Sequence, residues 1–180
     1  MDAPAHAPDP DAEAERLRRA RRGDGAAFEA LYHDHARAVH ALAFRLTGNA
    51  AEAEDIVQET FLRMFGFLSG LRENTPLRPW LKRVAANLAI DRLRRQQHPG
   101  TDMALAALAD TASASPADAA DADTLLRRLP PLARTVVWLH EMEGWSHEDL
   151  GRRFGRTASW SKSLMSRSLA RLRQDLDPHG

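Results

Sequence analysis

The stretch Gly100–Thr124, GTDMALAALADTASASPADAADADT, limits what this chain can fold into more than any other feature. Alanine and aspartate supply 15 of its 25 residues, and it contains no aromatic side chain. Such a segment has too little apolar bulk to form part of a core and reads as a flexible acidic linker. Met103–Leu108 could form a turn or two of helix, which is marginal in isolation. The 180 residues therefore divide into parts. Residues 1–22 read as a tail with a short helix and 23–99 as a first domain. Residues 100–123 are the linker and 124–180 a second domain.

Charge follows the same division. The net charge is zero, from 25 basic and 25 acidic residues. Residues 1–15 carry five acids and no base, so −5. Residues 16–99 hold 15 basic and 9 acidic residues, so +6. Residues 100–124 return to −5, and residues 125–180 hold 10 basic and 6 acidic residues, so +4. Two basic blocks alternating with acidic ones point to a polyanion partner for the blocks, or to solvated helix faces. There is no cysteine, which excludes a disulfide framework, a thiolate zinc site and a cysteine nucleophile. No apolar run approaches the roughly 18–20 residues of a membrane span, and the acidic N-terminus is the reverse of a secretory signal. A cytoplasmic, membrane-free protein is expected.

Both domains read as helix only. Asp24 caps a helix with Phe28, Leu31, His35, Val39, Leu42 and Leu46 at three- and four-residue steps, ended by Gly48. Asn49, with Glu52 three residues on, opens a second whose expected buried stripe is Val57, Phe61, Met64, Phe65 and Leu68. A polar loop, Ser69–Thr75, leads to Pro76 at the expected first position of a third helix. That helix carries Leu77, Trp80, Leu81, Val84 and Leu88 on one side and Arg83, Asn87 and Arg94 on the other. Residues 11–22 suggest a short basic helix in front. Beyond the linker, a short helix at Leu125–Leu129 is broken by Pro130-Pro131. Pro131 opens the next, with Leu132, Val136, Leu139 and Met142 as its apolar side. Ser146 and Asp149 start a short helix through Phe154, Gly155-Arg156-Thr157 turn the chain, and a last helix runs from Ala158 to Asp175. Two helices joined by a Gly-containing turn, the second basic, fit helix-turn-helix.

The candidate chemistry is recognition. In a helix-turn-helix the second helix meets base edges in the major groove. Here it offers Ser159, Trp160, Lys162, Ser163, Ser166 and Arg167, with Leu164, Leu169 and Leu172 toward the core. Trp160 is open between packing inward and touching DNA. The third N-terminal helix, with Asn87, Arg94 and Arg95, could reach bases and phosphates. It could also be an ordinary helix end whose cations suit the dipole. Glu54, Asp55, Gln58 and Glu59 continue an acidic run past the first turn, where capping no longer needs it, and suggest a basic protein partner. His33, His35 and His40 do not make a hydrolytic metal site, which needs three converging ligands. No Gly-rich phosphate loop or catalytic triad spacing is present. No metal, cofactor or catalytic residue is expected.

AEAEDIVQETFLRMF (51–65), RPWLKRVAANLAIDRLRRQ (78–96) and LRRLPPLARTVVWLHEMEGWSHEDLGRRFGRT (126–157) occur in an order that resembles bacterial sigma factors. The resemblance is to the two-domain extracytoplasmic-function subgroup of the sigma-70 family. It implies an all-α, non-enzymatic protein that binds core RNA polymerase and directs promoter recognition and DNA opening. By the same resemblance Glu54, Asp55, Gln58 and Glu59 bind polymerase. Arg83, Asn87, Asp91, Arg92, Arg94 and Arg95 meet the −10 element, with Asn74 in the loop that receives a flipped base of the melted strand. The last helix reads the −35 element as duplex. Its run Ser159-Trp160-Ser161-Lys162-Ser163-Leu164 departs from the common Gly-Thr-Val start, which bears on the −35 code. An anti-sigma protein is a candidate partner. The alternatives are a stand-alone helix-turn-helix regulator and a metal hydrolase built on the histidines.

Overall fold

Five helix starts are fixed by short polar side chains that accept a hydrogen bond from an otherwise orphaned backbone N–H. Asp9 accepts from Asp11, Asp24 from Ala27, Asn49 from Glu52, Ser146 from Asp149 and Thr157 from Trp160. The computed structural model describes residues 9–72, 75–96 and 122–176. Its helices are α1 (Pro10–Arg21), α2 (Gly25–Thr47), α3 (Ala50–Phe67) and α4 (Leu77–Gln96), then α5 (Ala122–Arg127), α6 (Pro131–Glu141), α7 (His147–Phe154) and α8 (Ala158–Leu176). A 3₁₀ turn, Leu68–Gly70, follows α3. The described residues contain no strand, and the structure is all-α as expected. Pro131 sits in the first turn of α6, whereas Pro76 precedes α4 by one residue.

The long helix α2 organises the first domain. Leu31, Val39, Leu42, Ala43 and Leu46 are buried against α1, α3 and α4. Each fully buried leucine of this kind contributes about 1.5–3 kcal/mol. His35 lies in the same stripe with 0% exposure. Its Nε2 donates to Glu13 Oε2 at 2.9 Å, while Glu13 Oε1 accepts from the backbone N–H of Leu77 at 3.3 Å. One carboxylate thus ties α1 to α2 and supplies an acceptor to the first turn of α4. The Arg16–Asp34 pair adds a second link between α1 and α2.

Two expected core residues are not core. Phe65 is 64% exposed and meets only the edge of Phe28, because Ala53, Ile56, Val57, Thr60, Phe61 and Met64 already fill the inward side of α3. Met142 is 62% exposed, since α6 ends at Glu141 and the chain turns away. A third difference lies at the linker. α5 begins at Ala122, so Asp123, read as linker, is helical and pairs with Arg45 and Arg127. The rest of the acidic segment, through Asp121, lies outside the described residues.

In the second domain α7 and α8 form the expected helix-turn-helix. Gly155 takes a left-handed conformation, φ 66°, and closes α7. Gly151, inside α7, is required by closeness rather than by φ. A Cβ there would lie 2.6 Å from the carbonyl carbon of Thr157 in the turn. That backbone is held, because Arg156 N–H donates to Gly151 O at 2.7 Å and Thr157 caps the start of α8. Leu150, Phe154, Leu164 and Leu172 close the core, and Trp160 packs on Phe154 at 5.4 Å, which places it inward. His140 and His147 stack at 4.1 Å between ring centres. Burial first, then the neighbouring His140 and Lys162, hold the His147 imidazole below its ordinary pKa.

Three outcomes follow from this packing. Glu13→Ala strips both His35 and Leu77 N–H of their acceptor and should cost about 2–3 kcal/mol in urea unfolding; Glu13→Gln should recover much of it. Gly151→Ala should lower the stability of the helix-turn-helix by more than a surface Gly→Ala change would, because the opposing atoms are backbone. Because the folded pKa of His147 lies below that of the unfolded chain, the unfolded state takes up its proton first on acidification. Stability should therefore fall as pH drops through about 6.5. His147→Gln should flatten that slope in thermal melts.

Candidate nucleic-acid interface

Three surfaces carry the residues singled out by the sequence. On α3, Asn49 sets the register that turns Glu54, Asp55 and Gln58 outward, all exposed, with Glu59 partly so. Asp55 is 66% exposed at its side chain and 3.6 Å from Arg92; Glu59 pairs with Arg63 at 3.0 Å. The same side of the helix presents Leu62, 67% exposed, and Phe65. An acidic row followed by two bare apolar side chains is suited to a protein surface carrying both cations and apolar atoms. Leu62 was not singled out by the sequence, and Phe65 was read as core. Three- and four-residue periodicity on α3 does not by itself say where the buried stripe stops.

α4 holds the second surface. Leu77, Leu81, Ala85, Leu88, Ala89, Ile90 and Leu93 are buried, which leaves Lys82, Arg83, Asn87, Asp91, Arg94 and Arg95 along one outer strip. Arg92 is not on that strip. Its guanidinium turns to α3, where Nη1 donates to Glu52 O at 3.2 Å, so it braces α3 against α4. Gln96 does likewise, with its Nε2 donating to Glu52 Oε1. Lys82 belongs with the strip and was missed; its place one residue before Arg83 was the available signal. Asn74 lies outside the described residues.

The outer strip of α4 is not bare. The second domain lies on it. Arg153, on α7, donates to Asn87 O at 3.5 Å and to Asp91 Oδ1 at 3.4 Å. Arg94 donates to Arg153 O at 3.1 Å. The Arg83 guanidinium sits 4.6 Å from the centre of the Trp145 ring, and Lys82 Nζ is 2.5 Å from Glu143 Oε1. α2 joins the contact through Arg45, 3.0 Å from Asp123 and over the Trp138 ring, and through Leu46 O, which accepts from Thr135 Oγ1 at 3.2 Å. Gly48, at φ 71°, faces the Arg134 guanidinium, which would have to shift to admit a Cβ. Burial, then repulsion from Arg127, lowers the Arg134 pKa against an opposing pull from Asp123.

The third surface is α8. Ser159, Lys162, Ser163, Ser166 and Arg167 are all exposed and share one side of the helix. Ser161, Leu164, Ser168 and Leu172 are buried opposite. Hydroxyls and cations at these steps can donate to guanine O6/N7 and to phosphate. Trp160, expected here as a contact residue, is partly withdrawn against Phe154. The histidines converge on nothing. His33 is exposed, His35 is in the core, and His40 stacks on Phe44. Among the described residues no group of three or more His, Cys, Asp or Glu could hold a metal ion. No helix of the described residues is long and apolar enough to cross a membrane.

Comparison with known proteins agrees with this geometry. The family model "Sigma-70 region 2" matches residues 31–98, and "Sigma-70, region 4" matches residues 120–172. The RNA polymerase sigma factor CarQ of Myxococcus xanthus is 36% identical over 166 residues, covering 88% of this chain and 94% of the relative. The ECF RNA polymerase sigma factor SigE of Mycolicibacterium smegmatis is 33% identical over 87% of this chain and 65% of its own. The structure of CnrH in complex with the cytosolic domain of CnrY shares the fold, with a TM-score of 0.52 at 23% identity, over 94% of this chain and 100% of that one. The first match spans α2 to α4 and the second α5 to α8, the elements that carry the three surfaces. The chain belongs to the extracytoplasmic-function subgroup of the sigma-70 family, sigma factors that direct RNA polymerase to promoters and initiate transcription.

Proposed function

We propose that the three surfaces divide the work of initiation. The acidic row Glu54, Asp55, Gln58 and Glu59, extended by Leu62 and Phe65, binds core polymerase. The strip Arg83, Asn87, Asp91, Arg94 and Arg95, with Lys82, meets the −10 element as it melts. The α8 side with Ser159, Lys162, Ser163, Ser166 and Arg167 reads the −35 duplex. The observation that carries this reading is the sorting of charge by helix: Glu54 and Asp55 stand outward on α3, whereas Arg83, Arg94 and Arg95 stand outward on α4 and Lys162, Arg167 and Arg173 on α8. The protein supplies no catalytic group of its own and works in the cytoplasm. A structural neighbour is described with a partner, the cytosolic domain of CnrY. The family resemblance makes an anti-sigma protein a candidate partner for this chain.

Single substitutions separate the surfaces. Asp55→Ala should weaken binding to core polymerase several-fold without loss of helicity, because its only described partner is a long contact to Arg92. Arg167→Ala should leave polymerase binding intact and reduce use of promoters with an upstream element. A base contact predicts a loss of about 1–3 kcal/mol at one base position, and a phosphate contact predicts a uniform loss. Pull-down with core polymerase and run-off transcription on base-substituted promoters read the two effects. An equal polymerase-binding defect from both variants would overturn the division.

A further inference from the structure

The strip of α4 that faces the −10 element is covered by groups that resemble a nucleic acid in their chemistry. A strand offers three kinds of feature to a basic helix: anionic oxygens, flat π-faces and neutral carbonyl acceptors. The second domain offers the same three to the same residues. The Glu143 carboxylate meets Lys82 at 2.5 Å, as a phosphate would. The Trp145 indole lies under the Arg83 guanidinium at 4.6 Å, as a base would. The Arg153 carbonyl accepts from Arg94 at 3.1 Å, as a base or sugar oxygen would. Arg153 also donates to the Asn87 backbone O and to Asp91 Oδ1. We propose that the helix-turn-helix domain acts as an internal nucleic-acid mimic, occupying the −10 surface of α4 until polymerase and the melted strand displace it. This rests on the assignment of α4 to the −10 element made above.

Dimensions make the closed arrangement incompatible with promoter binding. Elements centred on −10 and −35 are about 25 base pairs apart, which is about 85 Å of duplex. α8 is only about 28 Å long, and its domain lies in hydrogen-bond contact with α4. Both elements cannot be held at once in this arrangement. The 25 residues between Gln96 and Ala122 set an upper limit of about 85 Å on the separation that the chain allows. The contacts are also of a kind that can be exchanged. On α4 they are ion pairs, a cation–π contact and hydrogen bonds at exposed or part-exposed groups, each worth about 0.2–1 kcal/mol, whereas the buried Thr135–Leu46 hydrogen bond and an apolar core shared by both domains hold the second domain to α2.

The absence of cysteine makes the test direct, since labels go only where cysteines are introduced. Full-length chain carrying Glu29→Cys and Gln174→Cys reports domain separation by energy transfer. A short fluorescent single-stranded DNA of mixed sequence reports access to α4. The variant Glu143→Lys/Arg153→Ala should lower energy transfer in the free chain and tighten strand binding about three- to tenfold, with polymerase binding no weaker than the parent's. Adding the strand to the parent chain should lower energy transfer as well. If the double variant loses helicity, Glu143→Gln alone should give a smaller change in the same direction. The proposal is overturned if the opened variant binds the strand no better than the parent while Arg94→Ala still weakens binding in both. It is also overturned if energy transfer in the parent already reports separated domains. Should Arg94→Ala leave strand binding unaltered in both chains, the −10 assignment fails and the mimicry fails with it.

Discussion

The structure depends on a helix with little surface to spare. α4 buries Leu77, Leu81, Ala85, Leu88, Ala89, Ile90 and Leu93, which leaves a narrow strip for everything that must meet another molecule. The alanines are part of the reason, because their small side chains let neighbouring helices approach on more than one side. A strip so supported is rigid. Its polar groups keep fixed spacing, which suits recognition better than a loop would. It also means that any body docking on α4 must use the same few residues. If α4 meets the promoter strand as proposed, the strand and the second domain compete for this strip.

Much of this was legible in the sequence. The caps at Asp24, Asn49 and Ser146 mark helix starts because a short acceptor before an apolar period has a local cause that tertiary context does not change. The exposed side of α8 follows from Leu164 and Leu172, two four-residue steps apart on one face. The family signature was carried by whole segments and needed no structure. Phe65 and Met142 were misread because periodicity shows which side of a helix is apolar but not how far the core extends along it. Arg92 looked like its neighbours Arg94 and Arg95, yet its angular position on α4 turns it to Glu52 O. The contacts between domains could not be read at all. They join Lys82 to Glu143 and Arg45 to Asp123 across long stretches of chain, and nothing local to either residue announces its partner.

Gly151 ties the packing of the helix-turn-helix to the contact on α4. A helix-turn-helix needs its first helix tight against the turn, and here the closeness is backbone on backbone. The same short helix, α7, supplies Arg153 to α4. The turn that orients α8 therefore also orients the side chain that covers the outer strip of α4.

The ionic character of the domain contact has a consequence for how the protein responds to its medium. Added salt weakens an exposed ion pair within the chain and an ion pair to phosphate by the same screening. When Lys82 leaves Glu143 for a phosphate, one screened pair replaces another, and the released and recaptured counterions partly cancel. A bare DNA-binding helix loses affinity steeply as salt rises. Under the proposed exchange Lys82 would trade one screened pair for another, which offsets part of that salt dependence at this one residue.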